Sequence, residues 1–420
     1  MNPPGRARSA AWKWWVCGLL LCASAINYMD RQTLSNAAVR ITREFHLNQE
    51  QYGTLELAFG WAFAAGSLLF GFVADRISVR RLYPFVLVAW SLVGFVTGWV
   101  RSYEQLLTCR LLLGLFEAAH WPCALKTTQR LLRPEQRAMG NSVLQSGASL
   151  GAIVTPLLMS ILLRGDSGGW RFSFQMIGGV GLVWILFWFA LVRDNDLPTA
   201  TAPAEMIATE TKENFGRLRD VIFNRRFLVL LIMVALINTS WQLLRAWLPK
   251  FMQEGRGYTE TQALHFNALY YVATDVGCIG AGALTLWLHR LDFSAHGARV
   301  VVYALGAILT ATAAVVAFLP KGPALLAVLL VVGMGALGVF PCYYAWSQEL
   351  SVQHQGKVTG ITGVAAWAFS APAHTFFGRL IDRTGSFDLG LAMAGSLPLL
   401  ALIALLVWWR TPSQIKIAGH

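Results

Sequence analysis

The sequence predicts an all-α membrane protein with twelve transmembrane helices in two halves of six, and three observations support this. First, 55% of the 420 residues are hydrophobic and only 13% are charged, which is typical of membrane proteins. Second, apolar stretches of roughly 20 residues, long enough to cross a bilayer, recur along the whole chain. Third, lysines and arginines concentrate in alternate loops, which predicts that both termini lie in the cytoplasm.

The predicted spans are bounded by short polar or charged connections. The first half contains 12–36, 51–74, 82–100, 104–127, 137–163 and 171–192. The second half contains 226–252, 262–288, 297–319, 323–347, 356–379 and 387–409. The chain therefore divides into an N-terminal six-helix bundle (1–192), a cytoplasmic linker (193–225) and a C-terminal six-helix bundle (226–420). Proline and polar residues in the linker argue against a packed domain there.

Composition also excludes several classes of protein. The net charge of +12 comes from lysines and arginines scattered over short loops, so no nucleic-acid-binding surface is expected. The six cysteines lie in apolar segments without metal-ligand spacing, so neither disulfides nor a metal site nor another cofactor is expected. The basic N-terminus resembles a signal peptide, but its apolar run leads into charged residues and further spans, so we expect it to be retained.

The stretch Asn27–Arg31 is the most informative part of the first span. It sets Asp30 and Arg31 into an apolar run, and charges inside a membrane helix are costly and usually functional. The alternative is that both residues mark the end of the helix in interfacial water. We expect them to face a polar cavity.

Span four contains a second charged pair, Arg110 and Glu117. They are seven residues apart, so they share one helix face at about 10 Å along the axis and cannot pair within the helix. Each needs a partner on another span, water or a substrate. The alternative is a static ion pair between Arg110 and Asp30, although buried ion pairs are poor sources of stability.

Two further charged residues leave alternatives open. Arg245 in the second half either lines a site or extends its side chain to the interface, near Lys250 and Glu254. Glu56, near the start of span two, is either a titratable group inside the protein or a solvated acid at the helix end.

These residues favour an anionic substrate and a proton. The planar guanidinium of arginine holds a carboxylate by two parallel hydrogen bonds and stays charged at any physiological pH. Asp30 and Glu117 are the candidate proton carriers, since burial favours the neutral acid whereas a neighbouring arginine favours the carboxylate. In our hypothesis, protonation of Asp30 releases Arg31 to bind substrate. His120, three residues after Glu117, is a candidate for relaying its proton.

Aromatic and amide side chains near the charges are candidates for lining the site, because pockets combine apolar walls with a few polar groups. We retain Tyr28, Gln145, Trp241 and Tyr343 from a larger set of such residues. Taken alone, each of these residues is weak evidence for a binding site, because aromatic residues in membrane proteins often serve as packing or interfacial anchors.

Three motifs resemble those of the major facilitator superfamily. They are Gly71-x-x-x-Asp75-Arg76-x-x-x-Arg80-Arg81 after span two, Arg110-x-x-x-Gly114-x-x-Glu117 in span four, and Gly147-x-x-x-Gly151 in span five. The resemblance covers nearly the whole chain and implies the major facilitator fold. It also implies that the first motif, comprising Gly71, Asp75, Arg76, Arg80 and Arg81, is a conformational latch at the cytoplasmic rim. The alternative for its arginines is the ordinary excess of positive charge in cytoplasmic loops.

Within that superfamily, the first and fourth spans are similar to those of the anion:cation symporters, which include carriers of hexuronates, galactonate and glucarate. The resemblance implies alternating-access import of a small organic anion, such as a sugar acid, coupled to protons. By the same resemblance, Arg31 and Arg110 hold the substrate carboxylate while Asp30 and Glu117 take part in coupling. Spans ten and eleven depart from the family pattern with bulky aromatic residues, including Tyr343 and Trp367, which leaves the substrate open.

Four readings remain after the sequence is considered. The first is a proton-coupled importer acting as a monomer in the inner membrane of a bacterium; protons are favoured over sodium because no oxygen cage is evident. The others are an exporter of a metabolite or drug, a membrane enzyme, and a substrate sensor that does not transport. An enzyme is disfavoured because no nucleophile-base pair, metal spacing or phosphate-binding loop is found.

Overall fold

The computed structural model of the chain describes residues 10–132, 134–163, 169–193, 196–197, 224–350 and 355–409. These residues are almost entirely helical, and no strand occurs among them. Helices are the expected structure for apolar spans, because every backbone N–H and C=O in lipid must find a partner within the segment.

The helices up to residue 193 begin with a long one that carries the charged stretch of the first span. They are α1 (Ala10–Asn36), α2 (Ala38–Glu44), α3 (Gln49–Arg76), α4 (Val79–Thr97), α5 (Tyr103–Glu117), α6 (His120–Leu131), α7 (Pro134–Leu162) and α8 (Gly169–Leu191). The short helix α2 was not predicted from the sequence.

The helices after residue 224 include two that change type at their ends. They are α9 (Arg225–Lys250), α10 (Glu260–Arg290), α11 (Ala295–Ala311), α12 (Pro323–Gly338), α13 (Phe340–Leu350), α14 (Gln355–Thr384) and α15 (Asp388–Trp408). A π-helical turn, Phe251–Gly255, continues α9, and a 3-10 helix, Thr312–Phe318, continues α11.

All twelve predicted spans coincide with helices, and the predicted fold class is confirmed. Spans 104–127 and 323–347 are each built from two consecutive helices, α5–α6 and α12–α13. Within the described residues, nine helical stretches are long and apolar enough to cross a membrane. The other predicted spans coincide with α1, α5–α6 and α14. Charged residues interrupt α1, and α5 and α6 contain only 15 and 12 residues.

The chain forms two compact units. The first comprises Met1–Thr211, Arg245–Val272 and Ala371–Phe387. In it, α1 and α7 cross closely at glycines: a side chain at Gly147 would collide with the carbonyl of Leu21, and one at Gly151 with that of Ala25. Small residues allow this close backbone approach between membrane helices.

One end of α3 is capped by a distant part of the same unit. The Asp382 carboxylate accepts hydrogen bonds from the backbone N–H of Gln49 at 3.0 Å and of Glu50 at 2.8 Å. Arg379 donates to the Glu50 carboxylate at 2.5 Å, and a side chain at Gly378 would collide with the carbonyl of Gln49. The acid thus binds the N–H groups and positive dipole end of α3.

The second unit comprises Lys212–Leu244, Ala273–Ser370 and Asp388–His420. Its core is apolar, and Phe227, Tyr303 and Trp346 are fully buried in it. The division into halves at 1–192 and 226–420 stays a prediction, because segments 245–272 and 371–387 pack with the first unit. Most of the predicted linker, 193–225, lies outside the described residues. The placement of the termini in the cytoplasm also stays a prediction.

Candidate functional site

Six ionisable residues predicted from the sequence lie buried within the first unit. They are Asp30, Arg31, Glu56, Arg110, Glu117 and Arg245, and each is at most 5% exposed. Three arginines thus accompany three acids in an apolar interior. Such a set is expensive to desolvate.

Arg31 contacts Glu117. Its Nε donates to Oε2 of Glu117 at 2.7 Å, and both side chains are buried. The guanidinium carbon also lies 5.3 and 4.6 Å from the ring centroids of Phe59 and Phe63, and 5.4 Å from that of Tyr28. Aromatic faces stabilise a cation that has been removed from water. Arg31 is therefore held by a charge and by aromatic rings at once.

Glu56 lies between two arginines from distant parts of the chain. Its Oε2 accepts from Nη2 of Arg245 at 2.8 Å and lies 3.4 Å from Nη2 of Arg110. Glu56 is 1% exposed and Arg245 2%, so neither is solvated at a helix end. The Arg110 guanidinium stacks on Phe59, whose ring centroid lies 4.4 Å away.

Arg110 has hydrogen-bond donors that no described residue accepts. Its Nε and Nη1 are buried and find no hydrogen-bond partner among the described residues, and the same is true of Oε1 of Glu56. A buried charged donor without a partner costs free energy. Arg110 and Arg245 therefore share one carboxylate oxygen of Glu56, and a role for them in binding an anion stays a prediction.

Asp30 interacts electrostatically with Arg31, Arg110 and Glu117 but forms no hydrogen bond with them. Both of its oxygens are buried without a hydrogen-bond partner among the described residues, and a Cβ placed on Gly94 of α4 would lie 3.2 Å from Oδ1. Neighbouring residues on a helix point about 100° apart, which explains why Asp30 faces α4 while Arg31 reaches Glu117. The hydrogen-bond partner of Arg31 is thus Glu117, and the release of Arg31 by protonation of Asp30 stays a prediction.

His120 lies beside the cluster, after a break in span four. α5 ends at Glu117 and α6 begins at His120. Nδ1 of the histidine is 2.9 Å from the Tyr83 hydroxyl, and Nε2 is 3.3 Å from the Ser24 hydroxyl. These hydroxyl groups, rather than Glu117, are its hydrogen-bond partners.

The other predicted substrate-contacting residues are dispersed. Tyr28 is half-buried beside Arg31. Gln145 is exposed on α7 and makes no hydrogen bond with another described residue. Trp241 and Tyr343 lie in the second unit, where both pack against Phe340. A role for Gln145, Trp241 or Tyr343 in substrate binding stays a prediction.

The predicted latch lies at the end of α3 and the start of α4. Gly71 and Arg76 are exposed on α3, and Arg81 is exposed on α4. Arg80 donates from Nε to the carbonyl of Val192 at 3.0 Å, which ties α4 to the end of α8. The side chain of Asp75 lies outside the described part of the chain, so the latch stays a prediction.

Sequence reasoning missed several polar residues near the arginines. Gln32 donates to the Tyr271 hydroxyl, the Tyr52 hydroxyl donates to the carbonyl of Ala246 at 3.0 Å, and His374 accepts from the Trp247 indole at 3.2 Å. Gln32 was predictable in part, because residues 28 and 32 share a helix face. The others depend on contacts between segments far apart in sequence.

Among the described residues, no group of three or more His, Cys, Asp or Glu side chains is arranged to hold a metal ion.

Comparison with known proteins gives a consistent result. The sequence profile of the Major Facilitator Superfamily matches residues 20–373. Among curated proteins, the chain is 26% identical to a probable sulfoacetate transporter of Cupriavidus necator, with 91% of this chain and 90% of that protein covered. It is 24% identical to a probable L-galactonate transporter of Escherichia coli, with 94% and 88% covered. It is 22% identical to a hexuronate transporter of the same species, with 94% and 93% covered.

Solved structures show the same fold. A D-xylose-proton symporter superposes with a TM-score of 0.77 at 15% identity, covering 96% of this chain and 98% of that one. A bacterial homolog of the human lysosomal transporter Spinster superposes with a TM-score of 0.76 at 17% identity, covering 95% and 96%.

Proposed function

The chain belongs to the Major Facilitator Superfamily, and from this membership we propose that it imports a small organic anion together with protons. It is a transporter rather than an enzyme, and an integral, multi-pass membrane protein. Its bacterial relatives indicate the inner membrane. The substrate class in this proposal is a sugar acid, a hexuronate or an aldonate or aldarate, because curated relatives carry such acids.

The observation that carries the proposal is the pair Arg110 and Arg245 beside Glu56. A neutral sugar needs no fixed positive charge, and a cation would be repelled by one. Arg110 retains two buried nitrogens that bind no described residue, and a carboxylate is the group that a guanidinium holds best. The substrate carboxylate would take over the position of Glu56 or share the arginines with it.

The charge balance of the six buried ionisable residues supports coupling of transport to protons. With all groups ionised, the three arginines balance Asp30, Glu56 and Glu117, so an entering anion adds an uncompensated buried charge. Such a charge is costly in a low-dielectric interior. Protonation of one acid for each entering negative charge restores the balance. In this mechanism, a proton on Glu117 ends its ion pair with Arg31, which then donates to the substrate.

The hydroxyl groups of a sugar acid also find suitable partners in the first unit. Tyr28 is half-buried beside Arg31, and Gln32 and Tyr271 already form a polar pair. Amide and phenol groups both donate and accept, so they suit the several hydroxyl groups of an aldonate. An aromatic acid would leave them unpaired, at a cost in affinity.

Uptake by reconstituted vesicles tests the proposal. The panel contains glucuronate, galactonate, glucarate, sulfoacetate, an aromatic acid and a neutral hexose, each with and without an inward acid gradient. We expect gradient-driven uptake of at least one acid, which Arg110→Ala abolishes. Arg101→Ala, which changes an exposed arginine, is the matched control and should transport normally.

The alternatives predict other results in the same vesicles. Efflux without uptake would indicate an exporter, and binding of an acid without movement would indicate a sensor. Uptake of the neutral hexose that persists in Arg110→Ala would contradict an anion site at the arginines.

A further inference from the structure

A stripe of polar side chains runs along α1 from Asp30 away from the substrate arginines. Ser24, Asn27 and Asp30 are spaced three residues apart, so successive side chains lie about 4.5 Å apart along the helix axis and about 60° apart around it. All three are buried. Such a row of buried polar side chains is unexpected, because apolar residues would pack there at a lower cost in free energy.

The neighbouring turn of α4 carries polar atoms along the same face. Gly94 lies against Asp30, and Ser91 lies against Gly181 of α8, which in turn is near Ile26. The indole of Trp90 packs edge-on to His120, with centroids 6.2 Å apart. Of these α4 residues, Gly94 therefore lies beside Asp30 of α1, whereas Ser91 contacts α8 and Trp90 contacts α6.

Many polar atoms in this region are unpartnered. They are Nδ2 and Oδ1 of Asn27, both carboxylate oxygens of Asp30, Nε1 of Trp90 and Oγ of Ser91, none of which has a hydrogen-bond partner among the described residues. Each such atom costs free energy if it stays unpaired. Buried water bound by several polar groups is the usual solution in proteins, and this region supplies the donors and acceptors that water requires.

His120 extends the stripe beyond Ser24. Its two ring nitrogens lie within hydrogen-bonding distance of two different hydroxyl groups, those of Ser24 and Tyr83. An imidazole bound in this way can accept a proton at one nitrogen and release another from the opposite nitrogen, so no net charge remains on the ring. Tyr83 lies one turn into α4, close to the end at which the predicted topology places the cytoplasm.

We propose that Asp30, Asn27, Ser24, His120 and Tyr83 form a proton route, completed by ordered water, that is separate from the substrate site. A proton leaving Asp30 passes to water held by Asn27, then through the Ser24 hydroxyl to His120 and on to Tyr83. At each step one O–H or N–H bond forms as another breaks, and no electron is transferred. This inference rests on the proposed proton-coupled import.

Several charged and titratable groups surround the proposed proton route. Glu117 and Arg110 of α5 and Arg31 of α1 act on Asp30, and Arg31 also acts on His120. Cys123 of α6 lies near Tyr83, and Trp184 and Trp188 of α8 pack around the phenol ring. A bound substrate that draws Arg31 toward itself weakens the hold of that arginine on an ionised Asp30, which couples the two paths.

The test compares net uptake with exchange in vesicles that contain a pH-sensitive dye. His120→Gln keeps a hydrogen-bonding side chain but cannot relay a proton, and Ser24→Ala removes the link to α1. We expect both variants to lower acid-driven uptake and the accompanying proton flux by about tenfold, while counterflow of labelled substrate, which needs no net proton release, changes less than about twofold. His265→Gln, at an exposed position on α10, is the matched control.

Three results would overturn the proposed route. Unchanged proton flux in both variants would overturn the route while leaving proton-coupled import intact. Loss of counterflow together with uptake would also overturn it, since that pattern indicates a structural role. If the unaltered protein takes up an acid without any proton flux, proton coupling itself is wrong and the route falls with it.

Discussion

Glu56 holds two arginines that come from different parts of the chain, and this arrangement gives it a specific role at the scale of single residues. Its carboxylate occupies the position that we propose for the carboxylate of the substrate, between Arg110 and Arg245. An internal anion of this kind offsets part of the positive charge of the empty site and competes with the ligand. Removing one partner of a buried ion pair leaves the other charges uncompensated.

The first prediction concerns Glu56→Gln. Without the internal carboxylate, the arginines carry excess positive charge, so the unliganded variant should lose about 3 kcal/mol of stability. For the same reason, anion affinity should rise about tenfold. Thermal unfolding and ligand titration of the purified protein measure both effects. Glu104→Gln, at an exposed position, should change neither, and unchanged affinity in Glu56→Gln would argue against competition.

The second prediction concerns Asp30→Asn. The neutral amide imitates a permanently protonated acid, so binding and substrate exchange should persist while accumulation driven by an acid gradient is lost. Counterflow and gradient-driven uptake, measured side by side, separate the two. Asp292→Asn is the control, since Asp292 is exposed and has a positive φ that asparagine tolerates. Undiminished accumulation in Asp30→Asn would refute its role in coupling.

At the scale of helices, close crossings set the position of the charged stretch. α1 packs against α7 at Gly147 and Gly151. It also lies close to Gly94 of α4 and Gly181 of α8, and α4 crosses α8 at Gly178. The break between α5 and α6 directs Glu117 and His120 to different partners. The proposed sites for the anion and the proton thus depend on backbone spacing as much as on charged residues.

The third prediction tests this spacing with one substitution at two positions. In Gly151→Ala the new methyl group collides with the Ala25 backbone, and we expect a loss of about 1–3 kcal/mol. In Gly179→Ala the methyl group meets open space in α8, so the higher helix propensity of alanine should leave stability equal or slightly higher. Thermal unfolding in detergent measures both. Equal destabilisation would indicate that the α1–α7 crossing is looser than described.

At the scale of the whole molecule, the balance of three arginines and three acids predicts the electrical character of transport. If each negative charge on the substrate enters with one proton, no net charge crosses the membrane in a cycle. A monoanion should therefore move with one proton and a dianion with two, because any excess would leave a buried unbalanced charge.

The fourth prediction follows from that balance. Accumulation by vesicles should depend on the pH gradient and be insensitive to an imposed membrane potential, which acts at about 2.3 kcal/mol per charge per 100 mV. Potassium gradients with valinomycin set the potential. If uptake of a monoanion and uptake of a dianion changed equally with the membrane potential, in either direction, the buried cluster would gain or lose a charge during the cycle.

The sequence by itself determined the helical membrane fold, the twelve spans and the family, because hydrophobic length, loop charge and short motifs are local properties of the chain. It also identified every member of the charged cluster, since charges inside apolar spans are rare. Only the tertiary structure decided the partners: Arg31 with Glu117, Glu56 with two arginines, His120 with Tyr83 and Ser24, and Asp30 against Gly94. The physical reason is that helix periodicity fixes the face on which a side chain lies, whereas helix packing fixes what that face meets.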